Sequence, residues 1–320
     1  MGKAKKRVNP KVTSRVDRNL KELTVKAAVK YARLLPPPWE PNRRGRPQEF
    51  KTQTIVVLCL FMVAMNLTYD GMAAEMRNPY LMELLQAKRL PSRSPLQRYM
   101  SKLSQKYVRR FNKRLIGKFL CNGVIVIVDS TGIRLKTSSS WYDIRIGRKN
   151  QRRDNVKLHL AVFPHRNIIL EYKITGYKRH DSPQLDFLLR NIKEVLRVIG
   201  DAGYLSRKNC NIVAKKNGQP FFHLKKNTTA TGKGSTAWKR MVRFAKQFEE
   251  VFDEIYHIRS LVESVNSALK KRYGNYIRAT KRRTRNVQLA FRVVAFNIKQ
   301  LLHDSTARKL GIPYWVRCDQ

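Results

Sequence analysis

A continuous apolar run, VIVIV at residues 124–128, constrains the fold of this chain more than any other segment. β-Branched residues without polar alternation are typical of a strand that is covered on both faces. Such a strand lies inside a sheet with helices packed against it, which is the arrangement of an α/β fold. The run leads directly into Asp129, so an acidic side chain is expected where this strand ends.

The segments after this run predict the rest of a sheet. KLHLAVF (157–163) and IILEYKIT (168–175) are expected to form a hairpin, and RVIGD (197–201) a further short buried strand. Ser182-Pro183 is expected to open a helix between them. Its inner side is predicted to carry the following residues: Leu185, Leu188, Leu189, Ile192 and Leu196.

Residues 206–236 are predicted to be irregular, with strand pieces at IVA (212–214) and FFHL (221–224). Three helices follow in the prediction, at about 237–252, 254–272 and 286–303.

The N-terminal third predicts helices only. Residues 1–20 are expected to be loose, KELTVKAAVKYARLL (21–35) to be a short helix, and PPPWEP to break regular structure. Apolar residues spaced three or four apart between Leu96 and Leu115 predict one long amphipathic helix. Asn78-Pro79 and Ser94-Pro95 are expected to be helix starts.

These patterns predict a mixed sheet with flanking helices, preceded by an all-α region. The expected segments are a basic tail and linker at 1–48, a helical DNA-binding domain at 49–120, a catalytic domain at 121–305 with an insertion at about 206–250, and a tail at 306–320.

The net charge of the chain indicates which class of partner it binds. The sequence has 67 Lys and Arg against 22 Asp and Glu, a formal net charge of +45. Such an excess predicts a polyanionic partner, and nucleic acid is the commonest one. The basic helices of residues 50–120 suit a helix-turn-helix-like DNA reader, although a helical bundle with a basic surface explains the same pattern. Arg44-Gly45-Arg46-Pro47 fits either a minor-groove arm or a solvated linker.

Cysteine usage and hydropathy argue against several other classes. Four cysteines, at 59, 121, 210 and 318, show no CxxC or Cys/His spacing, which argues against a zinc module and a disulfide framework. The longest apolar run, residues 55–65, is shorter than the ~20 residues of a membrane span and is predicted to be a buried helix. We therefore expect a cytoplasmic protein without a membrane partner.

Two carboxylates are expected at one edge of the sheet. Asp129 and Asp201 each follow a buried strand, and the ends of parallel neighbours meet at the edge where α/β folds place their sites. Two such carboxylates repel each other unless a cation neutralises them, and oxygen ligands with an incomplete shell suit Mg²⁺ or Mn²⁺. Glu263 is predicted to add a third carboxylate from a helix, and a pair of ions held in this way can cleave a phosphodiester.

The helix around Glu263 predicts contacts to DNA. Its spacing of three or four residues places the following side chains in one stripe: Tyr256, Arg259, Glu263, Asn266 and Lys270. We expect Glu263 to bind metal and its neighbours to contact phosphates. The plainer alternative is that Glu263 pairs with Arg259 and Lys270 as ordinary surface partners.

The spacing Y-x2-R-x3-E-x6-K, formed by Tyr256, Arg259, Glu263 and Lys270, resembles the signature of a large group of bacterial and archaeal insertion-sequence DDE transposases. Asp129 in VDSTG and Asp201 in GDAGY resemble the first and second acidic motifs of that group. The resemblance spans roughly residues 45–305.

This resemblance implies an RNase H-like core that nicks DNA at the element ends and joins the freed 3′-OH to target DNA. It implies that Tyr256, Arg259 and Lys270 contact element-end DNA, and that two chains act together on the two terminal inverted repeats.

Several residues have competing interpretations. Trp238 could stack on a flipped base or be a packed residue, and Asp181 is expected to cap the helix that follows it. Asp143, Asp154 and Asp186 are further carboxylates that we interpret as structural. The leading hypothesis is a metal-dependent transposase in the nucleoid. Its rivals are an RNase H-like nuclease without strand transfer and a transposase-derived DNA-binding protein that does not cut.

Overall fold

The computed structural model describes residues 6–40, 49–120, 123–135, 145, 147 and 155–317. Arg44-Gly45-Arg46-Pro47, Cys121, Asp143, Asp154 and Cys318 lie outside these residues. Cys59 and Cys210 are both free and buried. The described chain divides into two compact units, one of residues 1–115 with 281–320 and one of residues 116–280.

The first unit begins with a short strand and seven helices. Their bounds are β1 (Lys6–Val8), α1 (Pro10–Arg18), α2 (Leu20–Arg33), α3 (Thr52–Ala64), α4 (Tyr69–Glu75), α5 (Pro79–Leu85), α6 (Arg93–Lys102) and α7 (Gln105–Leu115).

The second unit holds the main sheet. Its elements are β2 (Val124–Leu135), β3 (Asn155–Phe163), β4 (Ile168–Gly176), α8 (Leu185–Leu189), β5 (Val195–Gly200), α9 (Arg207–Ala214), β6 (Gln219–Phe222), α10 (Thr236–Gln247), α11 (Glu249–Tyr256), α12 (Ser260–Tyr273) and β7 (Tyr276–Ile277). The chain then returns to the first unit with α13 (Arg282–Lys309) and β8 (Trp315–Arg317).

The core of the first unit forms around α3 and α13. Residues 55–64 of α3 are all buried, which confirms the prediction of a buried helix for the apolar run. α13 packs against α1, α2, α3, α6 and α7, and β1 pairs antiparallel with β8. Among the described residues no single helix is long and apolar enough to cross a membrane, although the bent pair α3–α4 passes this test jointly.

Helix boundaries in the first unit differ from the sequence prediction in three places. Residues 10–18, expected to be loose, form α1, whose Asn9 side chain caps the amide of Lys11 at 3.0 Å. The single helix predicted from Leu96 to Leu115 is two helices, because Ser104 starts a new one by accepting a hydrogen bond from the Tyr107 amide. Asn78 caps α5 as predicted, but α6 begins at Arg93, before Ser94-Pro95.

The sheet of the second unit is mixed, with strand order β4-β3-β2-β5-β6 and β7 paired to β2. β2 is antiparallel to β3 and parallel to β5, and β3 forms the predicted hairpin with β4. Asn167, at the turn of this hairpin, has a φ of 52°, a left-handed conformation that Asn tolerates better than most residues. The predicted α/β class, with a mixed sheet, flanking helices and a helical N-terminal region, is confirmed.

Three local predictions in this unit were wrong. The helix opened by Ser182-Pro183 ends at Leu189, and Leu196 lies exposed in β5. IVA (212–214) belongs to α9 rather than to a strand. The predicted helix at 254–272 is interrupted by a 3₁₀ turn, His257–Arg259, between α11 and α12.

Candidate active site

Asp129 and Asp201 occupy equivalent positions on neighbouring parallel strands. The register of β2 and β5 pairs Ile127 with Ile199, and each aspartate follows two residues later. β5 ends at Gly200, so Asp201 leaves the sheet beside Asp129. The expectation that Asp129 ends its strand was wrong: β2 continues to Leu135, because β3 keeps pairing with it as far as Arg134.

Asp129 is directly tied to α12. The side-chain amide of Asn266 donates a hydrogen bond to Oδ2 of Asp129 at 2.8 Å. Asn266 is 7% exposed, so this predicted DNA contact lies inward against the carboxylate. α12 therefore packs over the sheet at the aspartates and carries Glu263 one turn earlier.

Electrostatics link the three predicted carboxylates. Burial raises the pKa of Asp129 to about 6, and the carboxylates of Asp201 and Glu263 act in the same direction. The Ser130 backbone amide and the Arg259 guanidinium oppose this rise. The pKa of Asp129 thus responds to both of the other acids, which indicates that negative charge around this carboxylate is undercompensated.

Glu263 is the most exposed of the three acids, and its carboxylate has a partner. Arg259 donates a hydrogen bond to Oε1 of Glu263 at 2.6 Å, which is the surface pairing that the sequence left open as an alternative. Throughout the described part of the chain, no group of three or more His, Cys, Asp or Glu side chains is placed to hold a metal ion.

The other predicted DNA contacts lie around the 3₁₀ turn and on α12. Tyr256 stacks nearly parallel to Phe252 with ring centroids 6.3 Å apart, and the Arg259 guanidinium lies 5.8 Å from its ring centre. Burial raises the pKa of Tyr256. Lys270, in the last turn of α12, is partly exposed.

Trp238 occupies a packed position at the start of α10. Its side chain is 9% exposed, and its indole N–H donates to the carbonyl of Thr229 at 2.9 Å. The guanidinium of Arg207 lies 5.3 Å from its ring centre. These contacts favour the interpretation of Trp238 as a packed residue over a base-stacking one.

Asp181 holds a half-buried polar cluster that the sequence prediction missed. It makes no capping hydrogen bond to the following turn; Oδ1 instead lies 3.0 Å from Nζ of Lys157 and 3.3 Å from Nδ1 of His159. Burial raises the pKa of Asp181, but the neighbouring side chains of His159, Lys157 and Ser130 outweigh it and hold the pKa at about 2. The predicted capping role was wrong because these strand residues provide stronger donors.

The cluster lies near the aspartates because of strand register. His159 pairs with Ser130, the residue after Asp129. The His180-Asp181 pair of RHDSPQ (179–184) was the only signal of this cluster in the sequence, since no short turn joins β2 to β3 and their pairing could not be predicted. Tyr204 of GDAGY, which is fully buried, also belongs to this surrounding: burial raises its pKa well above the usual value, and Asp181, Asp129 and Asp201 raise it further.

Residues 121–298, more than half of the chain, match the sequence model of a family described as "Transposase DDE domain". No curated protein sequence matches the chain.

Two solved structures are similar to it. A cryo-EM structure of the piggyBac transposase synaptic complex with hairpin DNA has a TM-score of 0.48 at 8% identity, covering 92% of this chain and 74% of that one. A crystal structure of a pre-cleavage Mos1 transpososome has a TM-score of 0.24 at 11% identity, covering 86% of this chain and 83% of that one.

Proposed function

Because the chain belongs to the family of transposase DDE domains, we propose that it is the DNA transposase of an insertion sequence. It hydrolyses a phosphodiester bond at each end of its element and transfers the freed 3′-OH into target DNA. We assign the chain to the group of DDE transposases with the Y-x2-R-x3-E-x6-K signature. We further propose that two copies act together on the paired inverted repeats, in association with the nucleoid.

The observation that carries this proposal is the register of β2 and β5, which places Asp129 and Asp201 at equivalent positions. Asn266 of α12 is hydrogen-bonded to Asp129 at the same place. Metal-assisted phosphodiester cleavage needs a set of carboxylates of this kind: two on neighbouring strands of the sheet and a third on the helix that covers them. The raised pKa of Asp129 supports it, since perturbed acids cluster at functional sites.

The donor set fits a divalent cation. Asp129, Asp201 and Glu263 offer only hard oxygen ligands, which are the ligands of Mg²⁺ and Mn²⁺. Two bound ions would supply activation of the attacking oxygen and stabilisation of the leaving oxygen. Oε1 of Glu263 is held by the Arg259 guanidinium, so this oxygen would have to leave Arg259 before it could hold an ion.

The remaining residues bind and orient. The Asn266 amide fixes one oxygen of Asp129, which leaves the carboxylate in a defined direction. Arg259 is a cation beside the acids, and Lys270 lies in the last turn of α12. Both suit DNA phosphates, with which Arg forms bidentate contacts. Tyr256 supports Arg259 through its ring face.

The proposal predicts that Asp129→Asn abolishes cleavage but not binding. We expect Mg²⁺-dependent nicking of an element-end duplex to fall on the order of a thousandfold or more, because an essential acid is lost. Gel-shift affinity for the same duplex should stay close to that of the wild type. Asp186→Asn, at an exposed acid on α8, is the matched control and should retain nicking. Undiminished nicking by Asp129→Asn would contradict the catalytic assignment.

One alternative has a specific observation in its favour. Glu263 is paired with Arg259, and among the described residues no group of three or more His, Cys, Asp or Glu side chains is placed to hold a metal ion. Both observations suit a DNA-binding protein that no longer cuts DNA. Wild-type protein that binds the duplex but never nicks it with Mg²⁺ or Mn²⁺ would favour this alternative. A duplex with a precleaved element end distinguishes a transposase from a nuclease without strand transfer. Joined products indicate a transposase, and hydrolysis alone indicates a nuclease.

A further inference from the structure

A surface cavity of about 710 Å³ lies between α9 and the loop that precedes α10. Three cations, Arg207, Lys208 and Lys215, line it together with Asn211, and no acid is among the described residues of its wall. The three cations are exposed, and within the described part of the chain none of them forms an ion pair. Positive charge that the protein itself does not compensate indicates an anionic ligand.

The sequence around this cavity contains no acid at all. Residues 202–248 have 11 Lys and Arg and no Asp or Glu. At the ratio of the whole chain, 67 cations to 22 acids, 11 cations would be accompanied by about four acids. No carboxylate of this segment therefore competes with an incoming anion for the cations of the cavity.

Arg207 and Lys208 lie where cations do not stabilise a helix. α9 begins at Arg207, and its first turn holds no acid. The N-terminus of a helix carries partial positive charge, so cations there oppose the helix dipole, whereas an anion is stabilised. The placement of these two residues therefore favours a role in anion binding over a role in the stability of α9.

The loop that forms the opposite wall is held in place by hydrogen bonds. The side-chain amide of Asn211 donates to the carbonyl of Gly234 at 2.8 Å, and the Arg207 guanidinium donates to Oγ1 of Thr231 at 3.1 Å. The same guanidinium lies 5.3 Å from the ring centre of Trp238. The cavity is therefore formed before a ligand arrives, which lowers the cost of ordering its walls on binding.

The chemistry of the lining suits the backbone of a duplex better than a single strand. Among the described residues that line the cavity none is aromatic, although proteins bind single strands by stacking the bases on aromatic rings. Contacts to phosphates need only cations and polar groups, and they fix the position of a duplex without reading its sequence. The cavity therefore suits double-stranded DNA of any sequence.

We propose that this cavity binds the phosphate backbone of double-stranded DNA through Arg207, Lys208 and Lys215. It gives the unit of residues 116–280 a contact to DNA that lies outside the acids and α12. The inference rests on the proposed function for the identity of the duplex as element-end DNA. The contact itself needs neither a metal ion nor cleavage.

The test is the double variant Lys208→Gln/Lys215→Gln in the full-length protein. Its affinity for an element-end duplex is measured by fluorescence anisotropy from 50 to 200 mM salt. We expect the slope of log affinity against log salt to be shallower by about two, because each phosphate contact contributes about 0.9. The loss of affinity over this range should then be about tenfold smaller than for the wild type. An unrelated duplex of the same length should show the same change, because phosphate contacts carry no sequence information.

Lys21→Gln/Lys26→Gln is the matched control, since it removes the same charge elsewhere on the chain. Both lysines are exposed and already pair with acids of the chain, Glu75 and Glu22. The slope of this control should equal that of the wild type.

Three results would overturn the inference. One is a Lys208→Gln/Lys215→Gln protein with the wild-type slope, and another is a shallower slope that the Lys21→Gln/Lys26→Gln control shares. The third concerns Lys208→Arg/Lys215→Arg, which keeps both charges and should keep the wild-type slope; a slope as shallow as that of the Gln variant would contradict the charge contact. Nicking is measured separately: wild-type protein that never nicks the duplex, but shows the expected difference in slope, overturns the proposed catalysis and supports this DNA site.

Discussion

At the scale of single residues, Asp129 carries the largest electrostatic cost described for the site. Its carboxylate is partly buried, lies near two other acids, and is oriented by Asn266. Residues held in this way stabilise a bound cation at the expense of the metal-free fold, because charge that the protein itself does not compensate opposes folding.

This cost predicts a pH-dependent stability difference for Asp129→Asn in the presence of a chelator. The folded pKa of about 6 exceeds the ordinary value of 3.8, so the folded protein binds more protons between these pH values. Stability from this group is therefore present below about pH 4 and is lost as pH rises through 6. We expect the variant to have the higher Tm at pH 7.5 and a free energy of unfolding that is larger by up to about 3 kcal/mol. The difference in stability between the two proteins should close towards pH 4.

Thermal unfolding measured from pH 4 to 8 checks this expectation. Asp186→Asn provides a control, since Asp186 is exposed on α8, and its unfolding curve should follow that of the wild type at each pH. A gap for Asp129→Asn that is constant with pH, or that has the opposite sign at pH 7.5, would show that burial of this carboxylate does not oppose folding.

At the scale of elements, the closeness of β2 and β5 decides whether the two aspartates meet. Gly200, the last residue of β5, faces Val128 of β2 and Phe222 of β6, and neither neighbour leaves space for a methyl group. The absence of a side chain at this position lets the turn carrying Asp201 fold tightly against the strand before Asp129.

We predict that Gly200→Ala destabilises the protein by about 1–3 kcal/mol, as overpacking in a filled core does. It should also weaken Mn²⁺ binding, because the aspartates are pushed apart. Gly132→Ala on β2 is the matched control, since a Cβ there has no heavy atom within 4 Å. Urea unfolding of both variants measures the difference, and equal midpoints for the two would contradict this account.

The sheet could be predicted from sequence far better than the helix ends. The run before Asp129 has no polar alternation, and burial on both faces leaves such a strand few other placements. The break at Ser104 could not be predicted, because Leu103 is buried and keeps the apolar spacing intact across the two residues between α6 and α7. Leu196 joined a helical pattern by coincidence of spacing, and β5 leaves it exposed.

The same division holds for the site. Asp201 follows an apolar strand and Asp129 follows the apolar run inside β2, so their equivalent register follows from local sequence and parallel pairing. The positions of Tyr204 and Asp181 near the aspartates depend on which strand lies beside β2 and on how the chain returns after β4. Those relations are set by tertiary packing and leave no periodic trace in the chain.

At the scale of the whole molecule, charge would govern the proposed interaction with DNA. A formal net charge of +45 spread over 320 residues would neutralise many phosphates and release many counterions on binding.

We predict that affinity for an element-end duplex falls by roughly 10³ or more between 50 and 200 mM salt, as for a protein with six to ten phosphate contacts. Fluorescence anisotropy across this range gives the slope. Asp129→Asn should have a parallel slope, because the acid contacts no phosphate. A slope near zero would exclude phosphate contacts as the main source of affinity.

The placement of α13 has a consequence for synthesis on the ribosome. This helix, residues 282–309, fills the core against α1, α2, α3 and α7, although nearly the whole chain separates it from the first of them. The helices α1, α2, α3 and α7 must therefore wait for α13, which is translated only after residues 116–280. The unit formed by residues 116–280 is contiguous, so a nascent chain can complete it while the earlier helices still lack their central partner.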